Sequence, residues 1–339
     1  MNGRCVITVG DLGEFGVVAR IAGRLPQGGT VLLGPGDDAA VVSAPDARVV
    51  VTTDLLLEGR HFRRDWSSGY DIGRKAAAQN LSDVAAMGAH PTAIVVGLGL
   101  PAGAATGWLD DLTDGFRDEC HLVGASVAGG DITRSDLVVI SVTALGDLGG
   151  RPPVTRSGAR AGDVVAVAGR LGYAAAGLAL LGARPTEPTG PTTPTTPTGP
   201  TTPTELAELA ELIDAHRRPA PPYARGPQAA VLGATAMLDV SDGLVQDLGH
   251  VAAASGVALL LEAEAFTVPP VMREAARLTG TDPLEWVLAG GEDHALAATF
   301  PAGLDLPEGW TVVGRAAGGA GVQVNGVSLD RGGWDHFRE

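Results

Sequence analysis

β-Branched apolar runs and alanine-rich amphipathic runs alternate along this chain. The first kind marks strands at "ARVVVTTD" (residues 47–54), "TAIVVGLGL" (92–100) and "LVVISVTALG" (137–146). The second kind marks helices over residues 71–89, where alanine recurs through "DIGRKAAAQNLSDVAAMGA", and over 109–123. After "GDVVAVAG" (162–169) the rhythm restarts, with strands at "TAMLDV" (235–240), "VALLLEA" (257–263) and "HALAATF" (294–300). "VQVNGVSL" (322–329) reads as a hairpin closed by an Asn-Gly turn. Helical runs at 173–181 and 205–216 flank a Pro/Thr repeat, residues 184–204, that contains "PTGPTTPTTPTGPTTPT".

That repeat offers nothing to bury, and proline at every third position favours an extended, solvated conformation. It reads as a disordered, expanded helix–helix connection rather than a domain linker. The expected fold is therefore α+β (mixed α/β) in two domains: residues 1–150, and residues 151–339 carrying the 184–204 insertion. The boundary is expected near residues 150–162, where glycine-rich sequence follows the last strand of the first half.

Composition removes several function classes. The 339 residues are 45% apolar with a net charge of −15, which argues against a nucleic-acid footprint or an anionic membrane surface. Phosphate ligands stay possible, because divalent cations screen a carboxylate-rich site. The one lysine, Lys75, stands outside any GxxxxGK[ST] pattern, so a Walker-type phosphate loop is excluded. Cys5 and Cys120 form no CxxC pair, and neither a zinc site nor a disulfide framework is expected. The first residues do not read as a secretory signal and no apolar run is long enough to span a bilayer, so a cytoplasmic protein is the expectation.

The chemistry lies in aspartates beside small residues at the borders of apolar runs. They are Asp37 and Asp38 in "GPGDDAAVV", Asp54 in "VVVTTDLLLEG", Asp131 in "VAGGDITRSD", and Asp239 with Asp242 in "MLDVSDGL"; Asp83 in "NLSDVAAMG" lies on a helical run. Period-two geometry points Thr52 and Asp54 one way, and likewise Asp239 and Ser241, while Asp37 and Asp38 oppose each other. Each aspartate also has a plain structural reading. Ser241 or Asp242 fits an N-cap of the helix that follows. Asp131 fits a turn after two glycines, and Asp83 a solvated helix position. Taken together, many hard oxygen donors without a matching Cys or His cluster suit Mg²⁺.

In order, "GEFGVVARI", "GPGDDAAVV", "TTDLLLEGRHF", "NLSDVAAMGAHP", "GGDITRS", "TRSGARAGD", "LDVSDGLVQDLGH", "GGEDHAL" and "GWDHF" resemble the motifs of the thiamine-monophosphate kinase family. That family belongs to the superfamily of aminoimidazole-ribonucleotide synthetase and selenophosphate synthetase, and the similarity spans residues 13–337. The resemblance implies an N-terminal α/β domain whose strands form a barrel with those of a second copy, and a C-terminal α+β domain. It implies a homodimer that binds ATP, thiamine monophosphate and several Mg²⁺ ions, and passes the γ-phosphoryl group directly to the substrate's phosphate.

By the same resemblance, the metal ligands match Asp38, Thr52, Thr53, Asp54, Asp83, Asp131, Asp239 and Asp242. Nucleotide contacts match Gly130, Asp131, Arg156 and Ser241, and substrate contacts match His61, Glu292 and Trp334. No catalytic side chain is implied beyond metal binding and positioning. An aromatic is more usual where His294 stands, and the Pro/Thr insertion has no counterpart.

Two rivals remain at this stage. A sister enzyme of the superfamily would be expected to carry other marks: a reactive cysteine ahead of a catalytic lysine, a terminal cysteine, or no "GWDHF" ending. The other rival is a catalytically silent nucleotide-binding scaffold that uses the Pro/Thr tract for docking.

Overall fold

A computed structural model of the chain describes residues 7–35, 40–183, 203–328 and 333–334. Asp37, Asp38 and nearly all of the Pro/Thr repeat lie outside the described residues, so the expectations placed on them are not addressed by the structure. The chain divides into two compact units. One comprises Met1–Pro153 with Tyr223–Val231, and the other comprises Val154–Pro222 with Leu232–Glu339.

The first part of the chain runs α1 (Val9–Ala22), β1 (Val31–Leu33), β2 (Val41–Val42), β3 (Val50–Leu57), α2 (Gly69–Ala86), β4 (His90–Leu100), α3 (Thr106–Val123), β5 (Ser126–Arg134) and β6 (Val139–Asp147). It continues with β7 (Val164–Ala168), α4 (Tyr173–Ala183), α5 (Pro203–Arg217), α6 (Arg225–Leu232), β8 (Ala236–Val240), α7 (Leu244–Ser255) and β9 (Ala258–Leu261). The last elements are α8 (Pro270–Thr279), α9 (Pro283–Ala289), β10 (Ala295–Phe300), β11 (Trp310–Ala317), β12 (Gly321–Val324) and β13 (Val327–Ser328).

In the first unit a four-stranded sheet of order β3-β6-β4-β5 carries α2 and α3 on one face. Strict alternation puts Leu56, Ile94, Val96, Leu98, Ile140 and Val142 into that core, with α2 supplying Ile72, Ala76, Leu81 and Val84. Helix α2 starts where a capping box allows it: Asp71 N–H donates to the Ser68 hydroxyl, and the Asp71 carboxylate accepts from Ser68 N–H. The opposite face of the sheet shows apolar side chains to solvent, with Val51 63% and Leu55 49% exposed. The β1–β2 hairpin covers only one end of that face, through Val31 against Ala93 and Ala128.

The second unit is built on a seven-stranded sheet of order β13-β12-β9-β11-β7-β10-β8. All its pairings are antiparallel except β12 with β9. Its core joins Val165, Val167, Leu238 and Val240 of the sheet to Leu244, Leu248 and Val251 of α7. The Asn-Gly hairpin forms as the sequence indicates, with Asn325 and Gly326 both at positive φ between β12 and β13. Among the described residues no helix is long and apolar enough to cross a membrane.

Candidate active site

In the first unit the chemistry gathers along β3 and the helix above it. Thr52 donates its hydroxyl to Asp83 Oδ2 at 2.7 Å, joining the middle of β3 to α2. Asp83 is thus a half-buried, partnered carboxylate and not the solvated helix position that its bland reading allowed. Asp54 lies inside β3 rather than at its end, and points to the same face as Thr52. Its backbone N–H is held by the buried Asn80 Oδ1 at 3.1 Å, and Asn80 in turn donates to Ala76 O. Thr53 faces the other way; its hydroxyl donates to Val142 O and accepts from Thr143. At the end of β3, Leu57 N–H donates to Nδ1 of His61, in the following loop, at 3.0 Å, which leaves Nε2 to carry the ring proton of a neutral imidazole.

Asp131 is not in a turn. It lies within β5, paired with Gly97 of β4, and the two glycines before it belong to the strand. A Cβ on Gly130 would come 2.1 Å from Val96 O, so only glycine lets β5 approach β4 there. The register row that holds Asp131 runs through Gly97 and Ser141 to Leu55, and in-register neighbours share a face. Asp131 therefore sits on the open face and Asp54 on the helix-covered face. They occupy the two edge strands, three strand spacings or about 14 Å apart. Thr52 and Asp83 touch in this unit and Asp54 shares the face of Thr52; Thr53, Gly130 and Asp131 do not join them.

In the second unit a single corner, at the end of β8, collects distant segments. Asp239 of β8 is buried, and its Oδ2 lies 3.0 Å from His294 Nδ1. The strand then turns into α7. The expected cap does not form, because the N-cap position of α7 is held by Gly243 and not by Ser241 or Asp242. Instead Asp247, inside the helix's first turn, reaches back. Its Oδ2 accepts the N–H groups of Ser241, Asp242 and Gly243 at 3.0, 3.0 and 3.1 Å. Burial, with the Asp242 and Asp239 charges nearby, pushes the Asp247 carboxyl up to about 7 against the pull of those N–H donors.

Two further segments dock on the same corner. Glu292 N–H donates to Ser241 O at 2.8 Å and His294 N–H to Val240 O at 3.1 Å. Gly291 must be glycine, since a Cβ there would meet Ser241 O at 2.2 Å. The Glu292 carboxylate lies 3.1 Å from Nδ1 of the buried His216, on α5. Trp334 backbone N–H donates to Asp242 O at 2.9 Å, its carbonyl accepts from the Gln246 side chain, and the residue is 57% exposed. Asp239, Ser241, Asp242, Glu292 and Trp334 thus meet. Arg156 does not join them; its carbonyl accepts from Ser255, at the far end of the α7 axis, roughly 17 Å away along the helix.

The structure adds three residues that pattern reading passed over, Asn80, His216 and Asp247, and one contact, that of His294 with Asp239. Only Asp247 carries a local sequence signal, an acidic residue in a helical first turn. The others act across long sequence separations.

The donor set fits magnesium by its chemistry. Both gatherings offer carboxylate and hydroxyl oxygens and no thiolate, as a hard cation requires. Among the described residues no cluster of three or more His, Cys, Asp or Glu is close enough to hold a metal ion alone. Magnesium commonly keeps several waters and uses one or two carboxylates together with substrate phosphates. The turn before α7 points the same way. Its Ser241, Asp242 and Gly243 N–H groups are filled by Asp247, so a phosphate arriving there meets the Asp239 and Asp242 carboxylates, which calls for an intervening cation.

Residues 36–148 match the family model described as AIR synthase related protein, N-terminal domain. A thiamine-monophosphate kinase of Mycobacterium tuberculosis is 47% identical over 335 residues, covering 98% of this chain and 94% of that protein. A solved thiamine-monophosphate kinase from Stenotrophomonas maltophilia superposes with a TM-score of 0.77 at 36% identity, over 94% of this chain and 98% of the other. A structure described as AaThiL complexed with AMPPCP and TMP gives a TM-score of 0.75 at 33% identity, over 98% and 100% of the two chains.

Proposed function

The chain belongs to the thiamine-monophosphate kinase family, and we infer that it transfers the γ-phosphoryl group of ATP to thiamine monophosphate, giving thiamine diphosphate and ADP. The observation that carries the reading is the β8–α7 corner, where the residues implied for metal, nucleotide and substrate arrive from three separate stretches of chain.

The acceptor is a phosphate oxygen already ionised at neutral pH, so no strong general base is needed. Positioning and charge neutralisation are then the whole task. Asp239 and Asp242 would hold magnesium in the second unit, and Thr52, Asp54 and Asp83 would do so in the first. Asp38, Thr53 and Asp131 are assigned as ligands by resemblance alone. Bound magnesium neutralises the phosphates that must approach each other. Ser241 offers its hydroxyl to the nucleotide, its N–H being taken by Asp247. Gly130, Asp131 and Arg156 complete the assigned nucleotide contacts. The exposed Trp334 offers an indole face for the flat cationic ring system of the substrate, with the Glu292 carboxylate to offset its charge. His61 is assigned to the substrate by resemblance alone.

A second copy of the chain is part of this reading. Val51, Leu55 and Val95 form an exposed apolar face flanked by the edge strands β3 and β5, which is what a partner sheet would cover.

The test is to incubate purified protein with ATP, Mg²⁺ and thiamine monophosphate. Thiamine diphosphate and ADP should form in equal amounts, a chelator should stop the reaction, and free thiamine should not replace the phosphorylated substrate. A folded sample that binds ATP but forms no thiamine diphosphate contradicts the reading and favours the silent scaffold. Sedimentation of the same sample should show a dimer; a monomer at every concentration rejects that part.

A further inference from the structure

The turn that carries Glu292 has a feature that substrate binding alone does not account for. Glu292 and His294 both adopt left-handed backbone conformations, at φ 67° and 53°. Non-glycine residues in that region cost of order 1 kcal/mol or more each, so two within three positions persist only where the surroundings over-determine them. Three contacts do so here. Glu292 N–H and His294 N–H are tied to the end of β8. Between them Asp293, itself buried, accepts from Ala174 N–H at the start of α4 at 3.0 Å. The product of this turn is one side-chain placement: the buried His294 ring with Nδ1 3.0 Å from Asp239 Oδ2.

We propose that His294 is a positioning residue that fixes the Asp239 carboxylate and so decides which of its oxygens a cation meets. With Asp239 ionised, Nδ1 carries the proton and donates it to Oδ2. The bond stops the carboxylate from rotating and leaves Oδ1 as the oxygen turned toward a ligand. Ring donors of this kind set ligand orientation at metal sites, and their loss costs about 10–100-fold in metal affinity. A phenylalanine of similar shape fills the same space and supplies no donor. An asparagine places its amide N–H close to where Nδ1 stands, whereas glutamine carries its amide one bond farther.

This inference rests on the reading of Asp239 as a magnesium ligand, and the experiment separates the two. Mn²⁺ is titrated into the full chain at one fixed concentration of a non-hydrolysable ATP analogue, with free Mn²⁺ followed by electron paramagnetic resonance, in wild type, His294→Phe, His294→Asn and Asp239→Asn. Thermal unfolding without metal runs alongside. The expected result is a loss of at least about tenfold in Mn²⁺ affinity for His294→Phe and Asp239→Asn. Retention within about threefold is expected for His294→Asn, whatever the metal-free melting temperatures. Wild-type affinity in His294→Phe together with weak binding in Asp239→Asn overturns the role of His294 and leaves the ligand reading standing. Wild-type affinity in Asp239→Asn overturns both. If His294→Phe fails to fold, His294→Asn is compared with His294→Gln: tighter binding by the asparagine variant supports the proposal, and equal affinities overturn it.

Discussion

Asp293 shows how one buried carboxylate shapes the behaviour of the second unit with pH. Burial pushes it up to about 7 from 3.8, against the pull of Ala174 N–H, the Arg170 charge, Gly172 N–H and the His294 charge. Between those two pH values the folded chain holds a proton that the unfolded chain has released. Stability therefore falls as pH rises through that window and is level above it. Thermal melts from about pH 5 to about pH 8 should show this fall, and Asp293→Asn should lessen it. An unchanged slope in that variant contradicts the assignment. Single residues of this kind were poorly legible in sequence. "GGEDHAL" and "SDGLVQD" mark acidic positions, but only the folded turn shows that Asp293 caps α4 and that Asp247 grips three amides.

Elements were legible where their rhythm is uninterrupted and hidden where a close approach demanded glycine. Strands β3, β4 and β6 follow β-branched runs, and α2 and α3 follow their apolar stripes. Strand β5 is broken in sequence by Gly129 and Gly130, and β11 by Gly314, whose Cβ would meet Leu260 O at 2.1 Å. The glycines that read as a turn are the condition for pairing. Helix α1 is kinked at the left-handed Gly13 and has little amphipathic pattern to find. Gly130→Ala should therefore push β5 off β4. We expect a destabilisation of about 1–3 kcal/mol, seen as a melting temperature lower by several degrees, together with a higher KM for ATP. A variant with wild-type melting and KM contradicts this account of β5.

At the scale of the whole molecule, the two units divide the chemistry in a way that local pattern could not foretell. The alternation rule pointed Thr52 and Asp54 the same way, as β3 has them; its pairing of Asp239 with Ser241 does not apply, because β8 ends at Val240. It had no means of showing that Asp131 falls on the opposite sheet face from Asp54, because that depends on register across four strands. The return of Tyr223–Val231 to the first unit likewise leaves no local signal. The reaction itself was legible early, because motif order is a property of the whole chain. What both units share is oxygen donors and the lack of any assigned nucleophile, so the account stands on direct transfer between two bound phosphates. The stereochemical course at phosphorus tests this most directly. ATP made chiral at its γ-phosphorus with oxygen isotopes is turned over with thiamine monophosphate, and the configuration of the new terminal phosphate is read by phosphorus NMR. A single in-line displacement predicts inversion; retention would mean that a phosphorylated residue of the protein intervenes, and would contradict the account.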